Sequence, residues 1–319
     1  MAVVELFIFT LKINLKLHDF KKNNKLYTLI NNNFFMFVWL ASYPKSGNTL
    51  VRSLLASYFF SKDGICNFDL IKNIKQFPKV ALFEQLGLDI KNEKELIKNY
   101  IKVQESINKK NEVQFLKTHS YLFNIENNAF TDLNNSLGVI YIVRDPRNVV
   151  TSYANFLNIS PMDAADHLIH TTQIGGNPLD NNLDERGITY TGAWNGNFDS
   201  WKSFKSQGKY LLIKYEDLIT NKEETLKKIL KFIHKLKNIN FEINETKLKN
   251  VIESTSFENM KNLEKEKGFT EARINKETGE KILFFYLGQN NNWKKLLDLE
   301  IVKKIEKAFK KEMEELGYL

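Results

Sequence analysis

The sequence predicts an α/β protein in which a central parallel sheet is flanked by helices. Three observations carry this. Short apolar runs recur near 37–41, 113–117, 139–143 and 210–214, and near-continuous apolar runs suit strands covered on both faces. Segments with helical apolar spacing alternate with these runs, the pattern of parallel strands joined through helices. Lys45, His119, Arg144 and Tyr215 each fall just past a run, at the carboxyl ends of the strands where such sheets bind ligands.

The first run, Phe37-Val38-Trp39-Leu40-Ala41, reads as a buried strand. A polar loop follows, Ser42-Tyr43-Pro44-Lys45-Ser46-Gly47-Asn48-Thr49. Leu50, Val51, Leu54, Leu55, Tyr58 and Phe59 then mark one face of a helix. A strand, a tight loop and a helix start make an anion-binding device, because unpaired N–H groups and the helix dipole both favour negative charge. Gly47 permits close approach of the backbone, Lys45 adds a mobile cation, and Ser46 and Thr49 add hydroxyl donors. This is not a Walker loop, in which Lys follows the second Gly; here Lys45 precedes the loop's one Gly. Alone, the segment also fits an ordinary strand-to-helix turn.

The third run, Gly138 to Val143, leads into Arg144-Asp145-Pro146-Arg147. Asp145 suits an N-cap and Pro146 the first helical position. Val149, Val150, Tyr153 and Phe156 give the apolar face of the helix that follows. Only five of the 46 basic residues are Arg, and two of them sit in this turn. A planar guanidinium suits phosphate, and it equally suits a structural carboxylate. The fourth run, Tyr210 to Lys214, precedes a basic segment, Lys222 to Lys237. With Glu223 and Glu224 early and Lys late, that segment reads as a helix with a solvated face.

Together these segments resemble the sulfotransferases that use 3′-phosphoadenosine 5′-phosphosulfate (PAPS). Tyr43 to Thr49 resembles the family's 5′-phosphosulfate loop, Y-P-K-S-G-x-T. Arg144, with Ser152 eight residues on, resembles its 3′-phosphate segment. Lys117-Thr118-His119 matches a strand-end K-T-H triplet, and Tyr215-Glu216-Asp217 and Thr255-Ser256-Phe257 match further elements in family order. The resemblance runs from about Phe37 to Trp293. It implies a P-loop-like sulfotransferase fold over 36–319 and transfer of a sulfuryl group from PAPS to a hydroxyl or amine acceptor. Lys45, Ser46, Gly47, Asn48 and Thr49 would hold the 5′-phosphosulfate. Arg144 and Ser152 would hold the 3′-phosphate, and Tyr215, Thr255, Phe284 and Gly288 would complete the nucleotide site. His119 would be the general base, with Lys45 and Lys117 as the other catalytic residues. No metal is expected, since Lys and backbone N–H groups meet the charge.

Three departures from the family pattern matter. Leu50 stands where the family often has an adenine-stacking Trp. Tyr286 and Leu287 stand where it has Arg-Lys before Gly288, although Gly288 and Trp293 keep their spacing. Two lost cations weaken the expected hold on a 3′-phosphate, with Lys281, Lys294 or Lys295 as compensating candidates. Asn48 replaces the commoner Thr and still carries a donor. A P-loop-like phosphotransferase is one alternative, against which no Walker B strand accompanies a proper Walker A. A degenerate homologue that only binds an anion is another, against which Lys45, Lys117, His119, Arg144 and Ser152 are all retained.

The 319 residues, 43% apolar, suffice for one substantial core without an internal repeat or linker. The net charge of +8 reflects mainly a Lys-rich composition. No nucleic-acid-binding motif accompanies it, so the expected partner is a small hydroxylated acceptor rather than nucleic acid. Lys residues and the Asn31-Asn32-Asn33 run interrupt the first 35 residues, so no membrane span is expected there. The resemblance begins after Met36, and residues 1–35 read as a poorly ordered or non-native extension. Cys66 stands alone, which suits a reducing, cytoplasmic compartment. Asp163, Asp166, His167 and His170 read as the decoration of a helix face rather than a metal site. Trp194, Phe198, Trp201 and Phe204 read as core, and Gly175 to Thr191 as a substrate lid.

Overall fold

The structure, a computed structural model, describes residues 37–108, 114–170, 189–240, 242–274 and 278–319. The expectations about residues 1–35 and nearly all of the 175–191 loop therefore fall outside the described residues. Five strands, β1 (Phe37–Ser42), β2 (Lys75–Gln76), β3 (Gln114–Thr118), β4 (Ser136–Val143) and β5 (Tyr210–Lys214), form one sheet in the order β2-β3-β1-β4-β5. Every pairing within it is parallel. The four expected strands are present, with β4 beginning at Ser136, before the run read from the sequence. The edge strand β2 was not expected; two residues without an apolar run leave no pattern to read.

All six residues of β1 are buried, as its central place requires. Alternate side chains serve opposite faces. Phe37, Trp39 and Ala41 join Val139, Tyr141 and Val143 in one core layer. Val38 and Leu40 join Ile140, Ile142 and Ile213 in the other. Trp39 packs against Phe77, Phe130 and Trp201 and donates from Nε1 to Ser136 Oγ at 2.8 Å. Trp194, Phe198, Trp201 and Phe204 are buried in that same layer, as their spacing suggested.

The helices that position the site are α1 (Asn48–Phe60), α2 (Pro146–Leu157), α3 (Pro161–His170), α4 (Lys222–Lys237), α5 (Glu245–Ser254) and α6 (Phe257–Lys267). α1 starts directly after Gly47, whose φ of 100° is left-handed and which makes no side-chain cap. Asp145 caps α2 by accepting from Arg147 N at 2.9 Å, and Pro146 follows at the first turn. The chain's last residues clasp two strand-end turns. Arg147 Nη2 donates to Tyr318 O, and Tyr318 Oη donates to Glu216 Oε2. Glu216 Oε1 in turn accepts from Asp145 N. Among the described residues, no helix is long and apolar enough to cross a membrane.

Candidate functional site

The carboxyl ends of β1, β3, β4 and β5 open into a cleft of about 510 Å³. Lys45, His119, Arg144 and Tyr215, read from the sequence as lying just past strands, all line it together with Lys117. Each comes from the turn that ends a different strand or, for Lys117, from a strand's last residues.

The Lys45–Thr49 loop is strained toward this cleft. Lys45 has φ 65°, a left-handed conformation that few non-glycine residues adopt. A Cβ on Gly47 would lie 2.4 Å from Tyr215 Cδ2, so only glycine fits against that ring. Ser46 Oγ is buried without a hydrogen-bond partner, as is Arg144 Nε. Asn48 turns inward, and its Nδ2 donates to Leu40 O and Ser42 Oγ. The side chain is a donor, as expected, and its amide hydrogens tie the loop to β1. Thr49 lines the cleft and its Oγ1 donates to Glu271 Oε2 at 3.1 Å.

Lys45 Nζ lies 4.3 Å from the Phe156 ring centre and 4.1 Å from that of Phe284. Desolvation, reinforced by the Arg144 charge, lowers its pKa to about 7. Arg144 Nη1 donates to Lys45 O at 3.1 Å and its guanidinium stacks 4.2 Å from the Tyr215 ring centre. Its neighbour Arg147 points elsewhere, into ion pairs with Asp145 at 2.7 Å and Glu306 at 2.6 Å. Of the two readings of this Arg pair, Arg147 takes the structural one.

His119 Nδ1 lies 2.8 Å from Ser42 O. A carbonyl can only accept, so Nδ1 carries the proton and Nε2 is left bare. Burial first, and then the Lys117 charge, lowers the His119 pKa to about 3. The neutral tautomer with a free Nε2 is thus the resting form.

Ser152 lines the cleft from α2 and Thr255 from the end of α5. Thr255 Oγ1 donates to Val251 O, while its carbonyl accepts from Lys222 Nζ at 3.0 Å. Phe284 and Gly288 line the far wall, where a Cβ on Gly288 would meet the Phe257 ring at 2.7 Å. Leu50, Tyr286 and Leu287 are also in the wall. Lys281, Lys294 and Lys295, the compensating candidates, are exposed and are not among its lining residues.

Sequence reasoning missed four residues here. Lys222, read as part of a solvated helix, lines the cleft at the start of α4. His167, read as helix decoration, faces it from α3. Arg52 is buried on α1, three residues after Thr49, a spacing on one helix face that was open to notice. Glu271 lies in a loop and gave no signal. It meets Arg52 Nη1 in an ion pair and lies 3.7 Å from Lys117 Nζ. Burial alone would raise its carboxyl; Lys117 and Arg52 outweigh that and hold it well below the usual carboxylate range. Asp163 and Asp166 are engaged by Ser160 and Lys304. Among the described residues no three His, Cys, Asp or Glu are grouped to hold a metal.

A parallel sheet whose first strand runs through a tight loop into a helix, with cations gathered at the strand ends, defines a P-loop-like anion-binding protein. The chain belongs to the sulfotransferase-domain family, whose model matches residues 37–317. It is similar to flavonol 3-sulfotransferase of Flaveria bidentis, 25% identical over 286 residues covering 88% of this chain and 82% of that protein. Sulfotransferase 1B1 of Canis lupus familiaris is 26% identical over 279 residues, 86% of this chain and 82% of that one. Among solved structures, retinol dehydratase in complex with androsterone and inactive cofactor PAP aligns with a TM-score of 0.54 and 19% identity. That alignment covers 87% of this chain and 80% of the other. Mouse sulfotransferase SULT7A1 complexed with PAP gives 0.52 and 18%, over 87% and 84%. These likenesses show the P-loop-like sulfotransferase fold.

Proposed function

We propose that the protein transfers a sulfuryl group from PAPS to a small hydroxylated or amine acceptor, with His119 as general base, in the cytoplasm. One observation carries this reading: His119, its Nδ1 held 2.8 Å from Ser42 O, lines one cleft with Lys117 and the Lys45–Thr49 loop. The residues fit the donor. Ser46 Oγ and Arg144 Nε are buried donors lacking partners, and Gly47 and Gly288 let the cleft-lining rings of Tyr215 and Phe257 pack against the backbone where a Cβ would collide with them. The PAP named in the two structural neighbours agrees with it.

In this reading the Lys45–Thr49 loop holds the 5′-phosphosulfate, Arg144 and Ser152 the 3′-phosphate, and Tyr215, Thr255 and Phe284 the adenosine. PAPS supplies the sulfuryl group on a phosphate leaving group. His119 takes the acceptor's proton at Nε2, and Ser42 O keeps the ring oriented through Nδ1. Lys117 and Lys45 neutralise charge on the transferring and leaving oxygens. Positioning and electrostatics carry most of such a transfer. Tyr153, Phe156 and Leu157 add apolar wall beside these cations, which suits a small acceptor with one polar end. The relatives' printed names, a flavonol sulfotransferase among them, support the same acceptor class.

Thermal melting with PAP, AMP and ATP, each with and without magnesium, tests the proposal. A ligand at 100 times its Kd stabilises by about 2.7 kcal/mol. A magnesium-independent rise in Tm with PAP, larger than with AMP, is expected. A magnesium-dependent response to ATP with none to PAP would point to phosphotransfer instead.

A further inference from the structure

Three donors from separate parts of the chain converge on the Glu271 carboxylate. Thr49 Oγ1 comes from the first turn of α1, Arg52 Nη1 from the next turn, and Lys117 Nζ from the end of β3. Glu271 itself is more than two hundred residues from Thr49 in sequence. Arg52 and Lys117 are both buried, with side chains 8% and 9% exposed. Two cations enclosed together repel each other and require an anion between them. In the proposed function Thr49 and Lys117 face the phosphosulfate. The carboxylate therefore sits on donors that the ligand needs, and the two anions exclude one another.

We propose, resting on that reading, that Arg52 is a further donor to the phosphosulfate and that Glu271 is the anion it holds until the nucleotide displaces it. Arg52 suits the task. Its fork can face an oxyanion with two parallel N–H groups, and its Nε is buried without a partner. The Glu271 side chain is partly exposed, 26%, so it can swing outward without opening the core. Glu271 then acts as a competitor tethered to the chain, and it lowers apparent affinity by the fraction of molecules in which it is seated. A permanent ion cluster that merely fixes Lys117 is the opposing account.

Calorimetric titration with PAP at fixed salt, on the wild-type chain and on Glu271→Gln and Arg52→Gln, separates the two. Exchange predicts that Glu271→Gln binds PAP about ten-fold more tightly, as when the open form is a tenth of the population. It predicts binding weakened about ten-fold or more for Arg52→Gln. The rise in Tm on adding PAP is expected to be larger in Glu271→Gln than in wild type. If Arg52→Gln fails to fold, Arg52→Lys keeps the charge and loses the fork, and a several-fold weakening is expected. Unchanged or weaker PAP binding by Glu271→Gln, with wild type binding normally, would overturn the exchange and leave the proposed function standing. Absence of PAP binding by every form would overturn both.

Discussion

At the scale of single residues, Lys45 and His119 carry the testable chemistry. Lys45 has a pKa of about 7 in the free protein, and an adjacent phosphate raises it in the complex. Above pH 7 the free form has lost its proton while the bound form retains it. PAP binding near pH 8 is therefore expected to take up a proton, and affinity to fall by up to about ten-fold per pH unit above 7. Titration in two buffers of different ionisation enthalpy measures that uptake; a result independent of buffer would contradict it. For His119, replacement by Ala is expected to lower the rate by at least about 10²-fold while PAP affinity holds. Stopped assays on that variant, paired with PAP titration, read both numbers. Full activity would remove the base assignment. The types and spacing of these two residues were legible in the sequence. Their protonation was not, because it depends on burial, which the sequence does not show, and for Lys45 on Arg144, which arrives from another strand.

At the scale of elements, the turn after β4 divides its labour. Arg144 faces the cleft and braces the Lys45 carbonyl, while Arg147 is locked to Asp145, Glu306 and the Tyr318 carbonyl and lies 3.9 Å from the Trp293 ring centre. Breaking a buried pair costs about 3–5 kcal/mol. Arg147→Ala should lose stability of that order in denaturant melts. Arg144→Ala should weaken PAP binding with little change in melting. The opposite assignment of effects would reverse the two roles. The sequence marked this turn through Asp145, Pro146 and its scarce Arg, and both readings of Arg had physical grounds. Only the path of the C-terminal residues, brought in from more than 150 positions away, decides between them. The loop before α1 was likewise visible as a motif. The inward turn of Asn48 was hidden, because an amide does not reveal which neighbour it will satisfy.

Across the whole molecule, the parallel sheet and the gathering of strand-end residues were legible because near-continuous apolar runs and their punctuation are local signals. The edge strand β2, the placing of Lys222 and the reach of Glu271 were not, since each depends on contacts far apart in sequence. The missing basic pair is a whole-site matter too. Tyr286 and Leu287 line the cleft without charge, and the nearby Lys281, Lys294 and Lys295 stand outside. Tyr286→Arg with Leu287→Lys is expected to tighten PAP about ten-fold and to leave AMP, which lacks the 3′-phosphate, nearly unchanged. Equal gains for both nucleotides would mean that the new charges act only by general attraction.

The clasp made by the last residues has its own consequence. Tyr318 reaches the turn that presents Arg144 and, through Glu216, the turn that presents Tyr215, yet it is not in the wall of the cleft. Tyr318 is thus a remote handle on the two turns that shape the cleft. A binding protein that pulled on it is expected to loosen two walls of the cleft at once, without entering it.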